Sequence, residues 1–205
     1  MPDADQLLAL GAATLGESGA AQMSSRIRAV WTGAAVAAPA FPVRCTPGDN
    51  LAVHVAVAEA PPGSVLCVDV GDVRDFGYWG EVLTTGAESR GILGLVIDGC
   101  VRDVDALEAH GFPVFSCGTS LPGASKNRTG EIGGVARVGG VDVHAGDWVV
   151  ADRDGVVVLA RDDLDRIADA GRARADKEAE MFAALASGST TVELLHLDAS
   201  PIRRA

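Results

Sequence analysis

The sequence predicts an α/β fold, with one mixed, partly antiparallel sheet and flanking helices. Two apolar runs typical of buried strands, 65–70 and 92–98, enclose a segment of helical character. This strand–helix–strand order favours parallel pairing of the two strands. Nearer the C-terminus, Asp154-Gly155 separates two valine-rich runs, which indicates an antiparallel hairpin. Because no repeat or linker divides the chain, we expect a single compact domain over residues 1–205.

The remaining elements follow from local patterns along the chain. Residues 4–30 are alanine-rich and are predicted to be helical, in a region that Pro39 and Pro42 bring to an end. Over 51–58, Leu or Val alternates with Ala or His, and this period of two predicts a strand. In chain order, the other expected elements are a helix over 79–90, a helix over 103–110, a strand at 113–115, a polar glycine-rich loop over 118–131, short strands up to residue 160, and a C-terminal helix over about 162–186.

Charge and composition exclude several classes of function. The chain has 17 Lys and Arg against 28 Asp and Glu, a net charge of −11 that repels phosphate backbones and anionic membranes. No apolar run reaches the roughly 18 residues that a membrane span requires, and no basic segment precedes the N-terminal leucines as in a signal peptide. The four cysteines form no CxxC pair, which is typical of reduced thiols. We therefore expect a cytoplasmic protein that binds neither nucleic acid nor a membrane.

Candidate site residues fall at the start of one predicted helix and just after one predicted strand. Gly80 and Glu81 begin the helix, where free backbone N–H groups and the helix dipole can hold a carboxylate. Arg102 and Asp103 follow the carboxyl end of a buried strand, where open α/β sheets place their ligands. A guanidinium can clamp a carboxylate or an enolate, and the adjacent carboxylate can bind a hard cation. The alternative is an ordinary surface pair in which Asp103 caps the next helix.

The predicted C-terminal helix carries a carboxylate inside its apolar stripe. The stripe consists of Leu164, Ile167, Ala168, Gly171, Ala175, Phe182 and Leu185. Glu178 falls within this stripe, whereas Glu180 falls on the opposite face. Because a carboxylate on an apolar face needs a partner, we expect Glu178 either to form a salt bridge with an arginine or to point into a polar site.

Several other polar residues are interpreted as structural. His54, in the alternating 51–58 segment, is interpreted as a packed or surface histidine, and the other histidines have no ligand spacing. Lys126 and Arg128 lie in the glycine-rich loop. Simple solvation is the first interpretation of these two cations, and contact with a substrate is the second.

Four motifs, taken in order, resemble one known family. The first is an acidic residue, Glu81, followed by twenty residues and then Arg102-Asp103. The others are GLVIDGCVRDVDAL at 94–107, GFPVF at 111–115 and GDWVVADRDGVVV at 146–158. Together they resemble the regulator-of-ribonuclease-activity-A-like family, which includes the metal-dependent 4-hydroxy-4-methyl-2-oxoglutarate and 4-carboxy-4-hydroxy-2-oxoadipate aldolases. The resemblance extends over most of residues 25–195.

The resemblance implies a swivelling β/β/α-like fold and a retro-aldol enzyme that uses Mg²⁺ or Mn²⁺. Such an enzyme cleaves a 4-hydroxy-2-oxo dicarboxylic or tricarboxylic acid to pyruvate and a second 2-oxo acid, with oxaloacetate decarboxylation as a further reaction. Both reactions leave a pyruvate enolate, whose charge a metal and an adjacent guanidinium stabilise. By this resemblance, Arg102 contacts the 2-oxo acid and Asp103 holds the metal, while Gly80 and the backbone amides of Val82 and Leu83 bind the substrate carboxylate.

Two further acidic residues receive roles from the same resemblance. Glu81 stands where aldolases of the family often have Asp, and it is assigned to proton transfer. The hydroxyl proton of the substrate goes either to a water on the metal or to a water positioned by Glu81. Because the family forms trimers and hexamers with sites between subunits, we expect a homo-oligomer in which Glu178 reaches the metal shell of a neighbouring subunit.

Two functions of other classes are alternatives. Some members of the family are non-catalytic proteins that regulate a ribonuclease by contact, but they lack the Arg-Asp pair that this chain has at Arg102 and Asp103. A methyltransferase is the other alternative, because residues 65–72 superficially resemble a nucleotide-binding strand and loop. That segment lacks the G-x-G spacing that lets a backbone approach a cofactor. The sequence therefore favours the lyase.

Overall fold

A mixed nine-stranded sheet is the centre of the fold in a computed structural model that describes residues 2–203. The helices are α1 (Ala4–Glu17), α2 (Leu51–Glu59), α3 (Glu81–Ser89), α4 (Val104–His110), α5 (Leu164–Ala186, preceded by a 3₁₀ turn, Arg161–Asp163) and α6 (Thr191–Leu194). The strands are β1 (Ala21–Gln22), β2 (Arg28–Ala29), β3 (Val36–Cys45), β4 (Val65–Asp69), β5 (Gly77–Trp79), β6 (Gly94–Ile97), β7 (Cys100–Val101), β8 (Val114–Ser116), β9 (Gly118–Thr119), β10 (Gly130–Ile132), β11 (Val135–Val138), β12 (Val141–His144), β13 (Trp148–Ala151) and β14 (Val156–Leu159).

The main sheet has a parallel centre and antiparallel flanks. Its strand order is β1-β14-β13-β3-β4-β6-β8-β2, and β3, β4, β6 and β8 run parallel. The strands outside this centre pair antiparallel, and β10 pairs antiparallel with the end of β3. The β11–β12 hairpin and the parallel set β5-β7-β9 form two smaller sheets. The predicted mixed, partly antiparallel sheet with flanking helices is therefore confirmed.

Both faces of the parallel strands are buried. In β4, Leu66 and Val68 belong to a core with residues of α2, α3 and α4, whereas Val65 and Cys67 belong to a core with residues of β11 and β12. A third core joins α1 and α5 to β13 and β14. Strands covered on both faces have continuous apolar sequences rather than alternating ones, which explains the two apolar runs that identified β4 and β6.

Most of the predicted elements are confirmed. The hairpin at Asp154-Gly155 joins β13 to β14, and the glycine-rich loop lies between β9 and β10. The predicted segments 65–70, 92–98, 79–90, 103–110, 113–115 and 162–186 correspond to β4, β6, α3, α4, β8 and α5. No helix in the described part of the chain is both long and apolar enough to cross a membrane.

The prediction of a strand over 51–58 is wrong, because this segment forms α2. Nearly all of its residues are apolar, so the sequence fits a helical spacing as well as a period of two. The buried residues Ala52, Val53, Ala56 and Val57 follow the helical spacing. Packing of this face against the sheet, rather than local alternation, decided the conformation.

The predicted helix over 4–30 is too long. α1 ends at Glu17, and β1 and β2 follow it. Gly19, just after the C-cap Ser18, has a φ of +109°, a backbone conformation that a side chain disfavours. This glycine allows the chain to turn out of the helix.

β3 contains both Pro39 and Pro42 and was not predicted as a strand, because proline is rare inside central strands. Pro39 is the last residue of β3 that pairs with β13. Pro42 falls between the residues that pair with β13 and those that pair with β10. The prolines therefore mark a change of pairing partner along one edge of the strand, not the end of a structural element.

A buried carboxylate after β6 joins four parts of the chain. Asp98 is 3% exposed and accepts hydrogen bonds from Nε of Arg26 and Nε of Arg74, both at 2.8 Å, and from the Gly139 N–H at 3.0 Å. The Cys117 thiol donates to it at 3.3 Å. Burial alone would raise the pKa of Asp98, but the hydrogen bonds from the two arginines outweigh burial and hold this pKa well below its usual range. Asp98 thus fixes the start of the segment that leads into β7.

We expect Asp98→Ala to lower the free energy of unfolding by about 2–4 kcal/mol, because two guanidinium groups and a backbone N–H lose a buried acceptor. Urea denaturation at neutral pH measures the change. Asp142→Ala is the matched control, since Asp142 pairs with Arg137 on the solvent-facing side of the β11–β12 hairpin, and its cost should stay below about 1 kcal/mol. Equal losses for the two variants would contradict the role of Asp98.

Wild type and Asp98→Ala also show how the stabilisation by Asp98 depends on pH. The folded-state pKa of Asp98 is lower than its unfolded value, which is about 3.9. Its stabilisation is therefore fully present above the unfolded pKa and is lost as the pH falls through the folded pKa. The stability difference between wild type and Asp98→Ala should shrink as the pH is lowered from about 5 towards 2.

Candidate active site

A cavity of about 250 Å³ lies at the carboxyl ends of the parallel strands β5 and β7. Four segments form its wall: α2, the turn from β5 into α3, the turn from β7 into α4, and the loop between β9 and β10. The lining residues are Asn50, His54, Gly77, Tyr78, Trp79, Gly80, Val82, Leu83, Arg102, Asp103, Gly123, Ala124 and Lys126. Ends of parallel strands are where α/β sheets place their ligands.

Arg102 and Asp103 lie together in this wall. The Arg102 N–H donates to the Trp79 carbonyl at 2.9 Å, which joins the ends of β7 and β5. Asp103 is left-handed, with φ of 58°, and its Oδ2 accepts a hydrogen bond from the Glu81 N–H at 3.0 Å. Oδ2 is 3.7 Å from Arg102 Nε. Asp103 occupies the N-cap position of α4, but its side chain makes no cap hydrogen bond to that helix and instead accepts one from the start of α3. The side-chain cap expected in the alternative is therefore absent, although Arg102 and Asp103 do form a half-exposed pair.

Two glycines make room for this pair. A Cβ atom on Gly80 would lie 2.3 Å from Asp103 Oδ2 and 3.1 Å from Arg102 Cγ. A Cβ atom on Gly77 would lie 2.6 Å from the Ser120 carbonyl oxygen and 3.0 Å from Arg102 Cδ. Gly80 is extended rather than left-handed, so close approach and not backbone strain requires glycine there. The two strand-end turns can approach each other only without these side chains.

The first turn of α3 borders the cavity with backbone donors. Val82 and Leu83 both line the cavity, and N–H groups in the first turn of a helix have no intrahelical acceptor. Hydrogen bonding inside the helix begins with the Thr84 N–H, which donates to the Gly80 carbonyl at 3.1 Å. Two donors at the positive end of the helix dipole are therefore available to an anion.

The Glu81 side chain is not part of the cavity wall. Its Oε1 lies 3.9 Å from Nε2 of His110 on α4, and Nδ1 of the same ring lies 2.8 Å from Glu88 Oε2. The structure thus brings the Glu81 backbone to Asp103 and directs its carboxylate towards His110.

The glycine-rich loop is held against α2 by Asp49. This carboxylate accepts hydrogen bonds from the N–H groups of Leu51 and Asn127 at 2.8 and 2.7 Å and from the Ser125 hydroxyl at 2.7 Å. Burial alone would raise the pKa of Asp49, but these hydrogen bonds lower it to about 2. The anchored loop places Lys126 in the cavity wall, where its Nζ donates to the Ala124 carbonyl at 3.2 Å.

Asn50 and His54 line the cavity but were not predicted as site residues. Asn50 donates from Nδ2 to the Tyr78 carbonyl at 2.8 Å, while its buried Oδ1 has no partner. His54 Nε2 is also buried without a partner. Burial first, and then the Lys126 ammonium, lowers the pKa of His54 below 6.5. On a helix, positions 50 and 54 share one face, so correct assignment of α2 would have placed both at one site.

The structure of a single chain does not bring Glu178 to the cavity. Its Oε1 lies 2.9 Å from Arg174 Nε as an ion pair, and Arg174 also pairs with Glu17. This is the arginine partner expected from the apolar stripe. The buried residues of α5 end at Gly171, whereas Phe182 is 64% exposed. The second half of the stripe is thus uncovered in one chain.

Asp103 offers one oxygen ligand side chain for a divalent cation. Residues 2–203 contain no group of three His, Cys, Asp or Glu side chains that could hold a metal. Mg²⁺ commonly binds one or two carboxylates and keeps several waters. The residues present therefore fit such an ion if water, substrate or another chain supplies the remaining ligands.

The comparisons with known proteins connect this chain to one family. The family model for RraA-like proteins, described as Aldolase/RraA, matches residues 5–158. A relative from Halalkalibacterium halodurans is named "Putative 4-hydroxy-4-methyl-2-oxoglutarate aldolase". It is 35% identical over 162 residues, which are 78% of this chain and 77% of the relative.

Two solved structures share the fold under different functional names. Streptomyces coelicolor RraAS2, described as an unusual member of the RNase ES inhibitor RraA protein family, has a TM-score of 0.73 and 28% identity over 89% of this chain and 96% of that one. A Geobacillus kaustophilus protein, described as an S-adenosylmethionine:2-dimethylmenaquinone methyltransferase, has a TM-score of 0.64 and 32% identity over 70% and 88%. The family expected from the four sequence motifs is confirmed, and the chain belongs to the RraA-like, Aldolase/RraA family.

Proposed function

We propose that this protein is a divalent-metal-dependent carbon–carbon lyase. Its substrate is a 4-hydroxy-2-oxo dicarboxylic or tricarboxylic acid, which it cleaves to pyruvate and a second 2-oxo acid. One observation carries the proposal: a guanidinium, a carboxylate and two free helix N–H donors border the same cavity. This combination suits an acid whose oxo group must gain negative charge.

Arg102 and the start of α3 supply the contacts for the 2-oxo acid end. The N–H groups of Val82 and Leu83 bind the carboxylate at the helix N-terminus. Among residues 2–203, the only carboxylate within ion-pair distance of the Arg102 guanidinium is Asp103 at 3.7 Å, so its donors are available to substrate oxygens. As the C3–C4 bond breaks, negative charge moves onto the C2 oxygen, and a planar guanidinium stabilises it through two hydrogen bonds.

Lys126 supports the assignment to acids with more than one carboxylate. It lies in the same wall as Arg102, which gives the cavity two cations and one helix N-terminus. A monocarboxylic substrate whose carboxylate binds the start of α3 would leave Lys126 without an anion, whereas a second carboxylate would engage Lys126.

Asp103 is the proposed ligand for Mg²⁺ or Mn²⁺ within the chain. Bound there, the ion would act as a Lewis acid on the oxo group and would share the stabilisation of the enolate with Arg102. Loss of CO₂ from oxaloacetate leaves the same enolate, so oxaloacetate decarboxylation is proposed as a second activity of the same site.

Glu178 is proposed to complete this site from a neighbouring copy in a trimer or hexamer. Its support is the uncovered second half of α5, where Phe182 is 64% exposed on the same stripe. Small 2-oxo acids and other copies of this chain are thus the proposed partners, with neither nucleic acid nor a membrane among them.

A non-catalytic regulator of a ribonuclease is the second candidate, because the description of the Streptomyces coelicolor relative names such an inhibitor. Release of pyruvate from a panel of 4-hydroxy-2-oxo acids and from oxaloacetate, with and without Mg²⁺ or Mn²⁺, separates the two. Metal-dependent release supports the lyase. No release from any substrate overturns it, and inhibition of a ribonuclease would then favour the regulator.

The methyltransferase alternative has its own test. A thermal shift on addition of S-adenosylmethionine, without one on addition of Mg²⁺ or Mn²⁺, would favour that class over the lyase.

Arg102→Lys should lower kcat/KM for pyruvate release by about 10²-fold or more, because lysine keeps the charge but loses the planar fork. Steady-state kinetics measure the change. Arg137→Lys is the control and should be near wild type, because the Arg137 side chain is exposed on the outer side of the β11–β12 hairpin. Kinetics of Arg102→Lys within about threefold of wild type would assign Arg102 a purely structural role.

Asp103→Asn should abolish metal-dependent turnover and the thermal shift produced by Mn²⁺, because a neutral amide is a poor ligand for a hard cation. Gly80→Ala should weaken Mn²⁺ binding too, since its Cβ would lie 2.3 Å from Asp103 Oδ2. Gly86→Ala is the control, because Gly86 is helical and its Cβ would meet only Val57 Cγ1 at an ordinary contact distance of 3.4 Å. Full activity of Asp103→Asn in the presence of a chelator would refute the metal role.

Glu178→Gln should weaken metal-dependent activity, whereas Glu180→Gln, which is exposed on α5, should not. Mixing Asp103→Asn chains with Glu178→Gln chains should give more activity than either variant has alone, because some mixed sites contain both carboxylates. Activity is measured after subunit exchange has been verified. If the mixture is no more active than either variant, Glu178 acts only as the partner of Arg174 within its own chain.

A further inference from the structure

The side chain of His54 has a polar atom that makes no hydrogen bond within the fold. Its residue lines the cavity, and its Nε2 is buried without a hydrogen-bond partner. Buried polar groups without a partner are uncommon in proteins and call for an explanation, such as a catalytic role. Of the described residues that line this cavity, only His54 and Asn50 carry such an atom.

The Asn50 side chain indicates that a hydrogen-bond donor of a ligand fits this part of the wall. Its Nδ2 donates to the Tyr78 carbonyl at 2.8 Å, which leaves Oδ1 as an acceptor without a donor. Asn50 is the N-cap residue of α2 and His54 lies in the first turn that follows, where its N–H donates to the Asn50 carbonyl at 3.2 Å. This part of the wall thus holds two acceptor atoms to which no protein group donates.

The charge state of His54 suits an acceptor. Burial and the Lys126 ammonium lower its pKa, and Asp49 opposes this shift only in part. The imidazole is therefore neutral at pH 7 and has one nitrogen with a free lone pair. A hydroxyl group is the donor that the proposed substrate brings to the cavity besides its acidic groups.

We propose that His54 is a catalytic residue, whose Nε2 accepts the proton of the 4-hydroxyl group during cleavage; this inference rests on the proposed lyase function. As the O–H proton moves to Nε2, the C4–O bond becomes a carbonyl and the C3–C4 bond breaks. The electron pair of that bond forms the enolate of pyruvate. The enolate takes a proton from water at C3, and His54 returns its proton to solvent, so that no other reactant is required.

The proposed role of His54 distinguishes two reactions that form the same enolate, namely cleavage of the 4-hydroxy-2-oxo acid and decarboxylation of oxaloacetate. Oxaloacetate has no 4-hydroxyl group, and its decarboxylation breaks a bond to CO₂ without removal of a hydroxyl proton. Arg102 and Asp103 serve both reactions, whereas His54 serves only the cleavage. A residue that supported only the shape of the cavity would affect both reactions alike.

The experiment compares both reactions in wild type, His54→Gln and His54→Asn, with His144→Gln as the control. His144 is on β12, and its side chain is 61% exposed. We expect kcat for cleavage of the 4-hydroxy-2-oxo acid to fall by about 10²-fold or more in both His54 variants, which is the usual contribution of a general base. The rate of oxaloacetate decarboxylation should stay within about threefold of wild type, which also shows that the variants are folded.

Parallel losses of both reactions, or no loss of cleavage, would overturn the role of His54. Failure of the underlying lyase function gives a different result, because wild type itself would then release no pyruvate from either substrate with Mg²⁺ or Mn²⁺. If both His54 variants fail to fold, as judged by thermal unfolding, His54 is a structural residue and the inference is wrong.

Discussion

The position of the site residues depends on the buried Asp98 carboxylate, which precedes Arg102 and Asp103 in the sequence. Asp98 is the first residue after β6, and β7 with Arg102 and Asp103 follows within five residues. Hydrogen bonds from Arg26, Arg74 and Gly139 tie this point to three distant segments. The hydrogen bonds from the two guanidinium groups stabilise the charged carboxylate by more than its burial destabilises it. The end of β6 is therefore held in place, and this in turn fixes the positions of Arg102 and Asp103.

The second constraint is the close contact of the two strand-end turns. Asp103 is left-handed, a conformation that costs a residue with a Cβ about 1–2 kcal/mol. The hydrogen bond from the Glu81 N–H to its carboxylate is charge-assisted, and such bonds contribute about 1.5–3 kcal/mol, which offsets that cost. Gly77 and Gly80 allow the approach, because a Cβ at either position would overlap Arg102, Asp103 or the backbone. The geometry of the Arg102–Asp103 pair thus depends on Gly77 and Gly80, because neither has a side chain that would separate the two turns.

Family membership alone does not fix the function of this chain, since relatives of the same fold are described as an aldolase, a ribonuclease inhibitor and a methyltransferase. Function on a shared fold depends on the residues of the site. Here the cavity combines Arg102, Asp103 and Lys126 with the free amides of α3 and the unpartnered nitrogen of His54. That set is suited to an acid that carries both an oxo group and a hydroxyl group.

The sequence by itself determined the mixed sheet, the strands β4 and β6, the approximate starts of α1, α3, α4 and α5, and the placement of Arg102 and Asp103 directly after a strand. These features rest on local signals, namely continuous apolar runs, a turn at Asp154-Gly155 and residues at strand ends. It did not determine α2 or β3, because an all-apolar segment has no unique period and because proline is normally excluded from central strands. Only tertiary packing made 51–59 helical and so placed Asn50 and His54 in the wall. The anchoring of the glycine-rich loop by Asp49, which brings Lys126 to the cavity, joins residues more than seventy positions apart, and no local pattern encodes a contact over that separation.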